Sequence, residues 1–220
     1  GEYARRFYEV SIVKPALFIN AFPANMFTNN KVKQITQLID GFKAMYKKTE
    51  IEMLLLDRGF YAKKVVKYLV ENKIRFIMPA KKIGQIKYMA QACLFLKQNV
   101  TLEYMFGETK VYLVFVKLDD EVLVYMTNTK FNPLKIHLLY KKRWQIETNF
   151  RGQNNFEFKT CTLDFNARYF AFVLAGLLFN LWQLMRNGKI QSYLFRQALT
   201  DEIKSLWCKI IRLEDYEPVA

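Results

Sequence analysis

The chain has 220 residues, and 52% of them are apolar. That excludes a disordered protein and allows one domain with a sizeable core. The formal net charge of +14 excludes an acidic partner-seeking surface and favours a polyanion, of which nucleic acid is the commonest inside cells. Three widely spaced cysteines, Cys93, Cys161 and Cys208, form no Cys-x-x-Cys pair, so neither a disulfide framework nor a zinc site is expected. The single histidine, His137, is read as structural.

In chain order, Phe7 to Val13 alternates and Ala16 to Phe22 is an apolar run ended by Pro23, which suggests a hairpin. Asn29-Asn30 reads as a cap for a helix from Lys31 to Lys47, with Val32, Ile35, Leu38, Ile39, Phe42 and Met45 at helical spacing. Ile51 to Leu56 reads as a buried strand that stops at Asp57-Arg58-Gly59. A helix from Tyr61 to Asn72 and a strand from Ile74 to Met78, closed by Pro79, complete a βαβ unit. Residues 81–130 are β-rich, with a hairpin turn at Leu118-Asp119-Asp120. Helices are expected from Leu134 to about Asn155, Asn166 to Asn187 and Ser192 to Leu213. The stretch from Tyr169 to Leu184 is the most apolar, yet it holds Asn180 and Gln183 and reads as a buried core helix rather than a membrane span.

Two places carry chemistry. Asp57 ends an apolar strand, where side chains of α/β folds project into a crevice and a carboxylate can hold a hard divalent cation. On its own, Asp-x-Gly reads rather as a strand end entering a turn. Further on, Tyr140, Arg143, Glu147, Arg151 and Asn154 follow one another at intervals of three and four, the spacing of one stripe on a continuous helix. One carboxylate flanked by arginines suits metal and phosphate together. Alone, it equally reads as a solvated face with ordinary ion pairs.

Asp57-Arg58-Gly59-Phe60 at a strand end, a β-rich stretch, then Tyr140-x-x-Arg143-x-x-x-Glu147 form an ordered set. The set resembles the catalytic domain of insertion-sequence DDE transposases, the hairpin-forming cut-and-paste group with a Tyr-Arg-Glu-Lys signature. Glu147-Thr148-Asn149-Phe150-Arg151, Lys159-Thr160 and Asn180-Leu181-Trp182 resemble one subgroup of these enzymes.

The resemblance implies an α/β, RNase H-like mixed sheet flanked by helices over residues 1–220, with residues 81–130 as a β-rich insertion between the second and third acidic residues. It implies two Mg²⁺ or Mn²⁺ ions held by three carboxylates, two of them Asp57 and Glu147. Tyr140, Arg143, Arg151, Asn154, Lys141 and Lys142 would meet DNA phosphates. The reaction would be phosphodiester cleavage and strand transfer at transposon ends, by a possible homodimer acting at the prokaryotic nucleoid, in the cytoplasm and away from any membrane.

Two positions depart from the pattern. The signature Lys, seven residues after Glu147, is Asn154. The first catalytic Asp, expected on a strand before Phe7, has no candidate: Asp40 is mid-helix, and Glu2 and Glu9 lack the context. The chain is therefore expected to be inactive by itself, as a truncated piece or as a catalytically dead remnant that binds DNA or a partner. A metal-dependent nuclease of the same fold is the third reading.

Overall fold

The computed structural model describes residues 7–12, 17–23, 30–48, 50–156, 164–185, 194–195 and 197–202. The chain divides into two compact units, one comprising residues 1–9 and 20–144 and the other residues 10–19 and 145–220.

Strands β1 (Phe7–Ile12) and β2 (Leu17–Pro23) pair as a separate two-stranded sheet, where both strands were expected, and the turn of the expected hairpin lies outside the described residues. The first unit is built on a five-stranded mixed sheet. Helix α1 (Lys31–Met45) starts where expected, its cap made by the Asn30 side chain, which accepts from the Lys33 N–H at 3.1 Å. Strand β3 (Leu54–Leu55) is shorter than the apolar run 51–56. Its flanks nevertheless stay in the ladder, because Leu54 N–H donates to Arg75 O and Leu56 N–H to Ile77 O. A single 3-10 turn, Arg58–Phe60, leads to helix α2 (Lys63–Glu71), and β4 (Phe76–Pro79) returns parallel to β3. The βαβ unit is thus present as its periodicities foretold.

Residues 81–130 open with a helix that the β-rich texture hid, α3 (Gln85–Phe95). Strands β5 (Val100–Phe106), β6 (Thr109–Leu118) and β7 (Glu121–Thr127) follow as a meander. They extend the same sheet, in the order β3-β4-β7-β6-β5, with β7 antiparallel to β4. Two-residue turns join them. Gly107 (φ 69°) supplies the positive φ of the first, and Asp119 (φ 40°) that of the second.

The two faces of this sheet have separate cores. Ile39, Val66, Leu69 and Ile86 pack with Phe76, Met78, Leu113 and Met126 on one face. Ile77, Val114, Val116 and Tyr125 pack with Ile136 on the other, on helix α4 (Pro133–Lys141). Strand β4 therefore buries Phe76, Ile77 and Met78 alike, as a central strand covered on both faces must. Asn128 ties its entrance: the side-chain Oδ1 accepts from Phe76 N–H at 3.1 Å, and Nδ2 donates to Ile74 O at 2.8 Å.

The helix expected from Leu134 to Asn155 is two helices. α4 ends at Lys141, Lys142 and Arg143 form a turn, and α5 (Trp144–Asn154) starts anew. Backbone bonds there tighten to three-residue spacing, Lys142 N–H to Leu139 O and Arg143 N–H to Tyr140 O at 2.8 Å. The three consecutive cations Lys141, Lys142 and Arg143 suit the negative end of the α4 dipole, so the terminus is electrostatically tolerated without Gly or Pro.

In the second unit, α5 and α6 (Phe165–Met185) meet closely. A Cβ on Gly152 would lie 2.6 Å from Phe179 Cε2, so any larger residue there would force the buried Phe179 ring to move. Phe156 and Phe179 are buried beside Trp182, with ring centres 6.1 and 5.9 Å from the indole. Helix α6 is long and apolar enough to cross a membrane by length and composition. It buries Ala171, Ala175, Phe179 and Trp182 along one face and exposes Phe170, Leu177, Leu181 and Leu184. The expectation of a core helix thus holds for one face only. Of the last helix expected, Ser192 to Leu213, residues 194–195 and 197–202 are helical, and the remainder lies outside the described residues.

Candidate functional site

Asp57 follows β3 at the carboxyl end of the strand and is exposed. Its Oδ1 accepts the Gly59 N–H at 2.5 Å, capping the 3-10 turn. A Cβ at position 59 would stand 2.7 Å from that oxygen, so the glycine is what lets the carboxylate fold onto the backbone. The turn-forming role of Asp-x-Gly is therefore real. It engages one oxygen of a group that has two.

Tyr140 comes to the same strand end from α4. Its hydroxyl donates to Leu56 O at 3.2 Å, the carbonyl that immediately precedes Asp57. Burial pushes the Tyr140 phenol above its ordinary range, and Asp57 adds to that rise. The positive charge of Arg143 pulls the other way, as does that of Arg58. The Arg143 guanidinium carbon lies 5.6 Å from the centre of the Tyr140 ring. A second aromatic, Tyr125, lies behind, 5.1 Å from Tyr140 between ring centres, with its hydroxyl 2.8 Å from His137 Nδ1. Lys141 and Lys142 are exposed at the end of α4. One unit thus gathers Asp57, Arg58, Tyr140 and Arg143 from positions more than 80 residues apart in sequence.

In the second unit, Glu147, Arg151 and Asn154 share a face of α5 at intervals of four and three, and all three are exposed. Glu147 sits in the first turn, where a carboxylate meets the positive end of the helix dipole. The single five-residue stripe expected from Tyr140 to Asn154 is corrected here. The break at Lys142-Arg143 ends the helical phase, so Tyr140 belongs to α4 and Glu147, Arg151 and Asn154 to α5. Lys159, named above in the subgroup resemblance, lies outside the described residues.

Within each unit, no three His, Cys, Asp or Glu side chains among the described residues gather as a metal centre would need. Among the described residues of each unit, the donors present fall short of a complete divalent-ion site. A basic groove of about 1310 Å³ also runs between α1 and α2, lined by Lys31, Lys33, Lys63, Lys64 and Lys67. Lys67 there is shared with Glu71 at 4.0 Å and Glu108 at 3.6 Å. Lys63, Lys64 and Lys67 on α2 face Lys31 and Lys33 on α1 across the groove, a juxtaposition that only the packing of the two helices reveals.

In α/β units, ligands gather at the carboxyl ends of strands, where Asp57 stands with Arg58, Tyr140 and Arg143 beside it. Residues 26–181 match the transposase DDE domain, so the chain belongs to that family. No match was found among curated proteins. Membership assigns the chain to DNA transposition, in a family whose members act on DNA with divalent metal ions. The mixed sheet flanked by helices is the fold that the RNase H-like resemblance implied.

Proposed function

We propose that these 220 residues form the DNA-holding part of a transposase catalytic domain, with Asp57 and Glu147 as its second and third acidic residues. The observation that carries this reading is the strand-end cluster of Asp57, Arg58, Tyr140 and Arg143 inside a region that matches the transposase DDE domain. Arg143, Lys141 and Lys142, with Arg151 and Asn154 on α5, are the side chains assigned to DNA phosphates. The net charge of +14 supplies long-range attraction to the duplex. Asp57 and Glu147 offer the hard oxygen donors that Mg²⁺ or Mn²⁺ prefers. Two carboxylates leave a three-carboxylate site incomplete, so the chain alone binds DNA and does not cut it. The hairpin-forming insertion-sequence group and a homodimer at the transposon ends belong to this proposal.

DNA affinity measured against salt concentration tests the binding half. Log affinity falls linearly with log salt, and the triple substitution K141A/K142A/R143A flattens the slope by roughly one unit per lost phosphate contact. Binding that ignores salt, or a slope unchanged by the triple substitution, removes these cations from the interface.

A further inference from the structure

Parallel ladders alternate in a fixed way. With Leu54 opposite Phe76 and Leu55 opposite Ile77, the register puts Leu56 opposite Met78. The observed bonds fit that register: Leu54 N–H reaches Arg75 O and Leu56 N–H reaches Ile77 O. The next bond in the series would run from the N–H of residue 79 to Leu56 O. Residue 79 is Pro79, which has no N–H. The carbonyl before Asp57 is thereby deprived of its ladder donor. Tyr140, 84 residues further along the chain, brings its hydroxyl to that oxygen at 3.2 Å.

We propose that the Tyr140 hydroxyl replaces the backbone donor that Pro79 lacks, and so fixes the strand end that presents Asp57. A phenol has one proton. With that proton on Leu56 O, none remains for a phosphate oxygen, which can only accept. Tyr140 is therefore a positioning residue and not a phosphate contact. Tyr125, Asp57, Arg58 and Arg143 are the titratable or charged groups that act on it. The importance of holding Asp57 rests on the function proposed above, whereas the bond itself can be tested without DNA.

The test is a double-substitution cycle of Y140F and P79A in the full chain, read by NMR. Labelling leucine carbonyl carbons and aspartate nitrogens selects the Leu-Asp bonds at 56, 118 and 163, the last two serving as internal controls. Y140F is expected to move the Leu56 carbonyl resonance upfield and leave the controls in place. It should also speed Leu56 amide exchange about fivefold, the factor carried by a net hydrogen bond of ordinary strength. In the P79A background, where an N–H is restored to the ladder, Y140F should change exchange by less than about twofold. A general packing defect would not be rescued by a backbone donor at position 79. Equal acceleration in both backgrounds, or an unmoved Leu56 resonance, overturns the proposal. So does a several-fold loss of DNA affinity in Y140F with the Leu56 resonance unmoved, since that outcome returns the hydroxyl to phosphate.

Discussion

His137 lies on α4 against Tyr125, and burial, followed by the nearby Lys141 charge, lowers its pKa below the ordinary 6.5. Tyr125 is buried and its phenol is pushed up to about 12, so its O–H stays available as a donor to the ring nitrogen. A neutral imidazole can accept at Nδ1, whereas the protonated ring presents a second N–H to the hydroxyl. The unfolded chain takes up a proton near pH 6.5 while the folded protein still resists it. The stabilising contribution is therefore present above that pH and is lost as the pH falls through the lower folded pKa. Urea unfolding between pH 5 and 8 should show stability dropping on the acid side, with a shallower drop in H137Q. An identical pH profile in H137Q would remove His137 from this role. The reading of His137 as structural came from its surroundings, Lys135-Ile136-His137-Leu138, which read as a helix flank. Its partner, 12 residues away on β7, could not be read from them.

At the scale of elements, α2 and α3 end alike. Ile74 N–H reaches back to Leu69 O and Lys73 N–H to Val70 O, while Gln98 N–H reaches Cys93 O and Lys97 N–H reaches Leu94 O. Both are left-handed helix stops, and both place a lysine where glycine is usual, with φ of 55° at Lys73 and 52° at Lys97. The Cβ of a non-glycine residue is strained there, so K73G and K97G should each stabilise the protein by about 0.5–1 kcal/mol in chemical denaturation. Destabilisation by either would mean that the lysine side chain contributes more than its backbone strain costs. The same elements show what the sequence makes legible. Asn30 before Lys31, Pro79 after Met78 and the turn at Asp119-Asp120 mark local boundaries with local chemistry, and the elements begin or end there. Helix α3 escaped because apolar residues lie all round it: Ile86, Ala90 and Cys93 form its buried stripe, while Tyr88, Leu94 and Phe95 are exposed and blur the pattern. The break after Lys141 escaped because no Gly or Pro marks it.

For the whole molecule, the site was legible as an order of motifs and not as a geometry. Asp57-x-Gly59 and Tyr140-x-x-Arg143 are weak alone, and spacing could not show that the tyrosine reaches the carbonyl beside the aspartate. That contact depends on a proline in another strand, on the pairing of β3 with β4, and on α4 covering the sheet face behind Tyr125. The lysine groove between α1 and α2 joins lysines of two helices, which sequence spacing does not bring together.

The central claim is that these 220 residues hold DNA through a transposase-type site whose carboxylate set is incomplete. The direct measurement incubates the chain with linear duplex DNA and Mg²⁺ or Mn²⁺, beside D57N and E147Q, and scores both retention and strand breakage. The account predicts salt-sensitive retention by all three proteins and breakage by none. Metal-dependent breakage by the unaltered chain that is lost in D57N and E147Q would contradict the claim of incompleteness, and breakage that survives both substitutions would contradict the site itself.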